Sequence, residues 1–167
     1  MADASPKESY LKTLDHEFGT TLKVLRNYPT DQLELRPSPK CRTARELAWT
    51  FVMERGLGEM VFNDTFADEM SGEMPTPPES WEELLAALES AHARFRQLVV
   101  DTPDADLDRK VRFFTGPGQM GEVSRIDWLW FLLHDEIHHR GQFSIYLRMA
   151  DGVVPSIYGP SADEPWM

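Results

Sequence analysis

The sequence contains a single cysteine, Cys41, so the chain can form neither an internal disulfide nor a cysteine-based zinc site. It contains no uninterrupted run of about 18 apolar residues, which is the length that a membrane-spanning helix requires. The segment MADASPKESY at the start of the sequence lacks the apolar core of a secretion signal. From these absences we expect a soluble, cytoplasmic protein that has no membrane partner.

Basic residues are also scarce. The 17 Lys and Arg residues are outnumbered by 28 Asp and Glu residues, which gives a formal net charge of −11 at pH 7. This charge repels a phosphate backbone, and no basic stripe with interleaved aromatic residues offsets it. We therefore expect no nucleic-acid partner. Of the 167 residues, 41% are hydrophobic, which is enough for one globular domain with a core, and we predict that residues 1–167 form a single domain.

Three segments begin with a capping box, in which a Ser or Thr precedes a Glu by three residues. These boxes start at Ser5, Thr43 and Ser80, and each is followed by apolar residues at the helical spacing of three and four. Ser124 starts a fourth segment of the same kind, which extends to about residue 150. We predict an all-α four-helix bundle from these segments.

The predicted helices are separated by long connections, residues 29–42, 67–78 and 101–123. Proline, glycine or acidic residues are frequent in all of them, as is typical of loops. Within the third connection, Lys110–Phe114 also fits a short strand. The residues after Gly152 are too rich in Pro and Gly for a helix, so we predict an extended C-terminal tail.

The last predicted helix contains the run HDEIHHRGQFSIYLR, in which His134 and His138 are four residues apart. A helix places these two imidazoles on one face, one turn apart, where they can share a divalent metal ion. His139 lies about 100° further around the helix and cannot share an ion with His138. The spacing by itself has low specificity, because it also fits two histidines on a helix surface.

A carboxylate lies within the inward-facing arc of the second predicted helix. Glu54 and Thr50 fall among the apolar positions Leu47, Phe51 and Val61. An ionised carboxylate in a protein core is strongly disfavoured unless it is paired or binds a metal. Two interpretations follow: Glu54 forms an internal bond, for example with Arg148, or it is a metal ligand or holds a metal-bound water.

The last predicted helix is apolar on two sides. The main stripe comprises Ile126, Trp130, Leu133, Ile137, Gly141 and Ile145, with the histidine pair along its flank. A second group comprises Trp128, Leu132, Phe143 and Tyr146. A helix that is apolar on two sides is covered on two sides. One cover is the bundle, the other is either the C-terminal tail or a second subunit, and a homodimer is our hypothesis.

Three segments of the sequence together resemble the DinB-like superfamily of DinB/YfiT-type metalloenzymes. They are the run H-x-x-x-H-H-R-G-Q, the tail segment VPSIYGPSADE and the segment TARELAW in the second helix. The resemblance implies a four-helix bundle in which three histidines bind a divalent metal, often nickel or zinc, and leave a position open for water or substrate. It also implies that some relatives transfer low-molecular-weight thiols and that many are homodimers.

Carried over by position, the resemblance assigns two of the metal ligands to His134 and His138. The third histidine of the family falls on Thr50, whose hydroxyl is a poor ligand for zinc or nickel. Glu54, one turn further along the same face, is the natural substitute, and such a set also suits iron or manganese. Thr50 and Gln142 are then expected to line the pocket, and Gln142 or Asp135 is expected to orient the ligands.

Two functions follow from this interpretation. The first is a divalent-metal-dependent hydrolase or thiol S-transferase with a degenerate metal site, acting on a small molecule, with a low-molecular-weight thiol as cosubstrate. The second is a metal-free small-molecule-binding or interaction protein on the same scaffold. In the second case, His134 and His138 would form hydrogen bonds with Thr50 and Glu54 in a polar pocket.

Overall fold

The computed structural model describes residues 4–66 and 75–167, so most of the predicted connection 67–78 lies outside the described residues. Four long helices form the bundle. They are α1 (Pro6–Arg26), α2 (Ala44–Phe62), α3 (Trp81–Asp101) and α4 (Arg125–Met149). Helix α2 packs against both α3 and α4, and α1 packs against the same two helices. The predicted four helices are therefore confirmed.

The helix starts form where the capping residues predict them. The Ser5 and Thr43 side chains accept hydrogen bonds from the backbone three residues later, and both reciprocal bonds of each capping box are present. Ser80 accepts from the Glu83 backbone, but its hydroxyl donates to Glu82, so the third predicted box is only half formed. These bonds satisfy N–H groups that would otherwise lack partners at a helix start.

A small β-hairpin lies between α3 and α4, after a short 3-10 helix at Asp104–Asp106. Strand β1 (Lys110–Gly116) pairs antiparallel with β2 (Gln119–Ser124), and Gly118 has a φ of +67° in the turn. The all-α prediction is therefore incomplete, although the segment Lys110–Phe114 that fitted a strand lies within β1. The alternation of buried and exposed residues that marks a strand in a sequence is weak here, because only Val111 is buried in β1.

Two clusters of buried residues form the core, one toward each end of the bundle. The first is built around Leu25, Leu47, Phe51, Leu88, Phe143 and Leu147. The second is built around Leu14, Val61, Phe95, Val99, Trp128, Leu132 and Leu133. Burying this apolar surface is the main favourable contribution to folding.

The buried face of α4 differs from the predicted one. The group Trp128, Leu132, Phe143 and Tyr146 is buried, whereas Ile145 of the predicted main stripe is 59% exposed. The physical reason is that two charged residues, Glu136 and Arg140, are buried on the same face of α4 as Trp128. Because they interrupt the apolar pattern of that face, apolar periodicity alone does not identify it as the buried one. A homodimer remains a prediction, which sedimentation at micromolar concentration tests.

A buried polar network accounts for these charged residues. Glu136 of α4 pairs with Arg55 of α2 and accepts a hydrogen bond from the Thr21 hydroxyl at 2.7 Å. Arg140 pairs with Glu17 of α1 at 2.7 Å. Buried charges require such partners, because a lone ion in the interior is costly.

The C-terminal tail after α4 has no regular secondary structure and packs along the bundle. Its Tyr158 hydroxyl donates to Glu17 Oε2 at 2.6 Å and accepts from Arg140 Nη2 at 2.6 Å. Asp163 pairs with Arg148 at 2.7 Å, so Arg148 is not the partner of Glu54. The tail is non-helical as predicted, but it folds back on itself instead of staying extended, since Val154 N donates to Asp163 Oδ2 and Trp166 Nε1 donates to Ser156 Oγ. Among the described residues, no helix has the length and apolar character needed to cross a membrane.

Candidate metal centre

Three side chains that can bind a metal converge between α2 and α4. Glu54 is only 4% exposed, and its Oε1 lies 2.6 Å from His139 Nδ1. Asp135 Oδ1 lies 3.8 Å from the same nitrogen. One ligand atom from each residue lies within 4.8 Å of the ligand atoms of the other two. We call this group the Glu54–Asp135–His139 cluster.

The local structure explains the convergence. Asp135 and His139 are four residues apart in α4, so the helix places both side chains on one face, one turn apart. Glu54 lies on the side of α2 that faces α4. Glu54 is buried as predicted, and its neighbours across the helix pair are Asp135 and His139.

The other predicted ligands lie elsewhere. His134 and His138 are exposed, and the Gln142 side-chain amide donates to His138 Nε2 at 2.8 Å. Glu54 contacts His139 instead of this pair, because the face of α4 that meets α2 is offset by one residue from the predicted face. Metal binding by His134 and His138 remains a prediction, but the position of Glu54 does not support it.

One sequence signal could have identified the cluster. Asp135 precedes His139 with the same four-residue spacing that drew attention to His134 and His138. The sequence predicts only an orienting role for Asp135, and the position of His139 around the helix excludes it from a site shared with His138. The choice between the two pairs depends on which face of the helix is buried, and the charged residues on that face obscured it.

Thr50 lines the same pocket as Glu54, and its hydroxyl takes part in two hydrogen bonds. Arg42 Nη1 donates to Thr50 Oγ1 at 2.6 Å, and Thr50 Oγ1 donates to the Glu46 carbonyl at 3.2 Å. The hydroxyl thus holds an arginine side chain. Gln142 lines a separate cavity of about 480 Å³, which His139 and Arg42 also line.

Electrostatics couple Glu54 and His139. Burial raises the pKa of the Glu54 carboxyl because it disfavours the charged form, and the hydrogen bond from His139 opposes that shift. The same hydrogen bond raises the pKa of His139, since a carboxylate stabilises the imidazolium. A metal ion that binds His139 through Nδ1 would have to displace the shared proton, whereas one that binds through Nε2 would leave this hydrogen bond in place.

The cluster opens into a pocket of about 680 Å³, which we call the central pocket. The volume is in the range of small-molecule sites. Apolar side chains dominate its wall, and they come from α2, from the hairpin and from the segments on either side of residues 67–74. They are Trp49, Met53, Leu57, Met60, Phe66, Pro75, Pro77, Phe113 and Phe114. The pocket therefore combines a polar cluster with an apolar wall.

The side chains present fit a divalent metal ion. Glu54 Oε2 is buried and has no hydrogen-bond partner within residues 4–66 and 75–167, which is costly for a carboxylate oxygen. One imidazole and two carboxylates form a donor set that zinc, iron and manganese accept. The donor set and the unpartnered oxygen both match a cation.

Comparisons with known proteins agree with the fold. A sequence profile of the DinB superfamily matches residues 13–143, so the chain belongs to the DinB superfamily. YrdA of Bacillus subtilis, described as an uncharacterized protein, is 26% identical over 158 residues, which cover 94% of this chain and 90% of YrdA.

Two solved structures show the likeness in three dimensions. A DinB-like protein from Bacillus cereus superposes with a TM-score of 0.75 at 23% identity, over 90% of this chain and 97% of that chain. YfiT from Bacillus subtilis superposes with a TM-score of 0.63 at 13% identity, over 87% of each chain. YfiT is described as a probable metal-dependent hydrolase with an unusual four-helix bundle topology. At these identities, the likeness shows the fold.

Proposed function

We propose that Glu54, Asp135 and His139 bind one divalent metal ion and that the protein is a metal-dependent hydrolase or thiol transferase for a small molecule. The observation that carries this proposal is the convergence of the three ligand atoms within 4.8 Å at the central pocket. The description of YfiT as a probable metal-dependent hydrolase supports the same reaction class. The cosubstrate of a transferase would be a low-molecular-weight thiol.

The chemistry of the three donors indicates which divalent metals the cluster can bind. Carboxylate oxygens favour harder ions than thiolates do, and imidazole binds zinc, nickel, iron and manganese. Three protein ligands also leave at least one position free, which is the usual arrangement in catalytic zinc sites. A bound divalent ion would supply a nucleophile at neutral pH, because it lowers the pKa of a bound water to about 7.

The residues of this chain orient the ligands and shape the site. Glu54 fixes the His139 ring through the bond at Nδ1 and is itself held in a buried position on α2. Asp135 adds a second carboxylate at the exposed side of the cluster, where its side chain is 39% exposed. The apolar wall keeps water away from one side of a substrate, which strengthens electrostatic interactions within the pocket.

The experiment starts with protein purified without a histidine tag, stripped with chelator and reloaded separately with zinc, nickel, iron(II) or manganese. We expect close to one ion per chain by elemental analysis after dialysis. Hydrolysis of a panel of aryl esters and amides, and transfer of a small thiol to an electrophile, should require the ion and stop with chelator. The Glu54→Gln variant should lose both the ion and the activity. Ion binding without activity in any assay would restrict the proposal to metal binding.

One observation favours a second function, a metal-free small-molecule-binding protein. The His139–Glu54 hydrogen bond at 2.6 Å already partners one carboxylate oxygen without an ion. Under this alternative, the reloaded protein should retain well under one ion per chain. A ligand of the central pocket should then bind equally well with and without chelator.

A further inference from the structure

The central pocket has chemically different ends along α2. Glu46, Thr50, Glu54 and Leu57 line it from successive turns of this helix, followed by Met60 near its end. A helix rises about 1.5 Å per residue, so Thr50 lies about 6 Å from Glu54 along the axis, and Met60 lies about 9 Å in the other direction. The Glu54–Asp135–His139 cluster therefore lies between the two ends.

The end beyond Met60 is aromatic. Phe66 and Phe113 have ring centroids 5.1 Å apart, and Phe66 and Phe114 meet edge to face at 5.7 Å. Such a group of rings accommodates an aromatic or branched apolar group. Phe114 is 44% exposed although it lines the pocket, so part of its ring is available to a ligand.

The opposite end carries a cation, Arg42. Its guanidinium is held in place by the Thr50 hydroxyl at 2.6 Å, and its backbone carbonyl accepts from the Tyr146 hydroxyl at 2.9 Å. Within residues 4–66 and 75–167, no carboxylate lies within 4.0 Å of this guanidinium. The bond to Thr50 uses one of five N–H donors, and none of the other four is bonded to a described residue, so they can serve a ligand.

We propose that Arg42, positioned by Thr50, recognises the carboxylate of an amphipathic substrate whose aromatic or branched apolar group packs against Phe66, Phe113 and Phe114. In such a substrate, the bond that reacts lies between the two groups, next to the cluster. The reaction of this substrate rests on the proposed function, whereas its binding by Arg42 does not. Thr50, which occupies the position of a family histidine, acts here as a positioning residue.

A carboxylate fits this end better than a phosphate does. Arg42 is the one arginine or lysine among the described residues that line the central pocket, and it lies there with Glu46, Glu54 and Asp135. These carboxylates repel a dianionic phosphate more strongly than a monoanionic carboxylate. A monoanionic carboxylate matches the planar guanidinium with two parallel hydrogen bonds. The ligand class is therefore a small aryl or branched-alkyl carboxylate.

The test measures binding of unreactive probes to the full chain by isothermal titration calorimetry with chelator present. The probes are 4-phenylbutanoate, its neutral amide and 4-phenylbutyl phosphate. We expect the acid to bind about tenfold more tightly than the amide, as a charge-assisted hydrogen bond provides, and the phosphate to bind more weakly than the acid. Arg42→Gln should abolish the preference for the acid, and Thr50→Val should reduce it.

The matched control is Arg45→Gln, which removes the same charge three residues away. Arg45 pairs with Glu34 at 2.6 Å and does not line the central pocket, so this variant should keep the full preference. The circular dichroism of each variant should match that of the wild type. The inference would be overturned if the acid and the amide bind equally well or if neither binds. It would also be overturned if the two arginine variants lose the preference equally, or if the phosphate binds more tightly than the acid.

Because the titration contains chelator, it separates this inference from the proposed function. Probe binding with an acid preference, combined with no retained metal, contradicts only the metal-dependent reaction. Retained metal combined with no preference for the acid contradicts only the role of Arg42.

Discussion

Arg55 of α2 and Glu136 of α4 form an ion pair in which each side chain is only 1% exposed. Glu136 also accepts the Thr21 hydroxyl, so its carboxylate links three of the four helices. The neighbouring residue on α2, Glu54, belongs to the Glu54–Asp135–His139 cluster. The ion pair thus fixes the two helices that carry the cluster.

Glu136→Gln should destabilise the protein by about 3–5 kcal/mol, because it leaves the buried Arg55 charge without a counter-charge. Urea unfolding followed by circular dichroism measures the change. Glu122→Gln, at an exposed position of β2, is the control and should change the unfolding free energy by less than about 0.5 kcal/mol. If both variants unfold at the same urea concentration, the pair does not hold the helices together.

Two glycines of α2 should respond oppositely to alanine. A Cβ at Gly58 would lie 2.7 Å from Leu132 Cδ2 and 2.8 Å from Phe95 Cε2, both in a closely packed core. Gly58→Ala should therefore cost about 1–3 kcal/mol through overpacking. A Cβ at Gly56 has no neighbour within 4 Å, so Gly56→Ala should stabilise the helix by about 0.5–1 kcal/mol. The midpoint of thermal unfolding measures both effects. If both variants are more stable than the wild type, the helices α2, α3 and α4 pack more loosely around Gly58 than the distances above require.

His92 should contribute to a loss of stability in acid. Its ring stacks on Phe18 with centroids 3.5 Å apart, and burial lowers its pKa from 6.5 to about 3, with the Arg55 charge acting in the same direction. Between these two values the unfolded chain binds the proton more readily, so stability falls as the pH drops from about 6.5 towards 3.

His92→Gln should therefore lose less stability than the wild type between pH 7 and pH 4. The midpoint of thermal unfolding, measured at both pH values, gives the difference. His16→Gln, at an exposed position of α1, is the matched control and should follow the wild type. An unchanged pH dependence in His92→Gln would show that the ring takes up its proton within the folded protein.

The sequence predicts the helices well because caps and apolar spacing act locally. Ser5 and Thr43 form the bonds that their capping boxes indicate. Helix α2 ends at Phe62, before the predicted connection 67–78 begins, and Asp64 just after it adopts a positive φ. The burial of Glu54 was also predictable, since a carboxylate among apolar positions on a helix stands out.

The partners across the bundle were not predictable in the same way. Glu136 and Arg140 occupy the buried face of α4 and interrupt its apolar pattern, so apolar spacing favours the face that carries His134 and His138, whereas Asp135 and His139 are the residues that meet Glu54. Their burial depends on Arg55 and Glu17, which come from other helices. Such pairing depends on tertiary structure and has no signature within one helix.

Titration of metal-free protein with zinc in a calorimeter tests the central claim most directly. We predict one ion per chain for the wild type and a loss of at least about 100-fold in affinity for His139→Gln, since even residues that only support a ligand are worth 10- to 100-fold. His138→Gln, the adjacent histidine on α4, should bind zinc as the wild type does. Unchanged affinity in His139→Gln together with a loss in His138→Gln would contradict the Glu54–Asp135–His139 site.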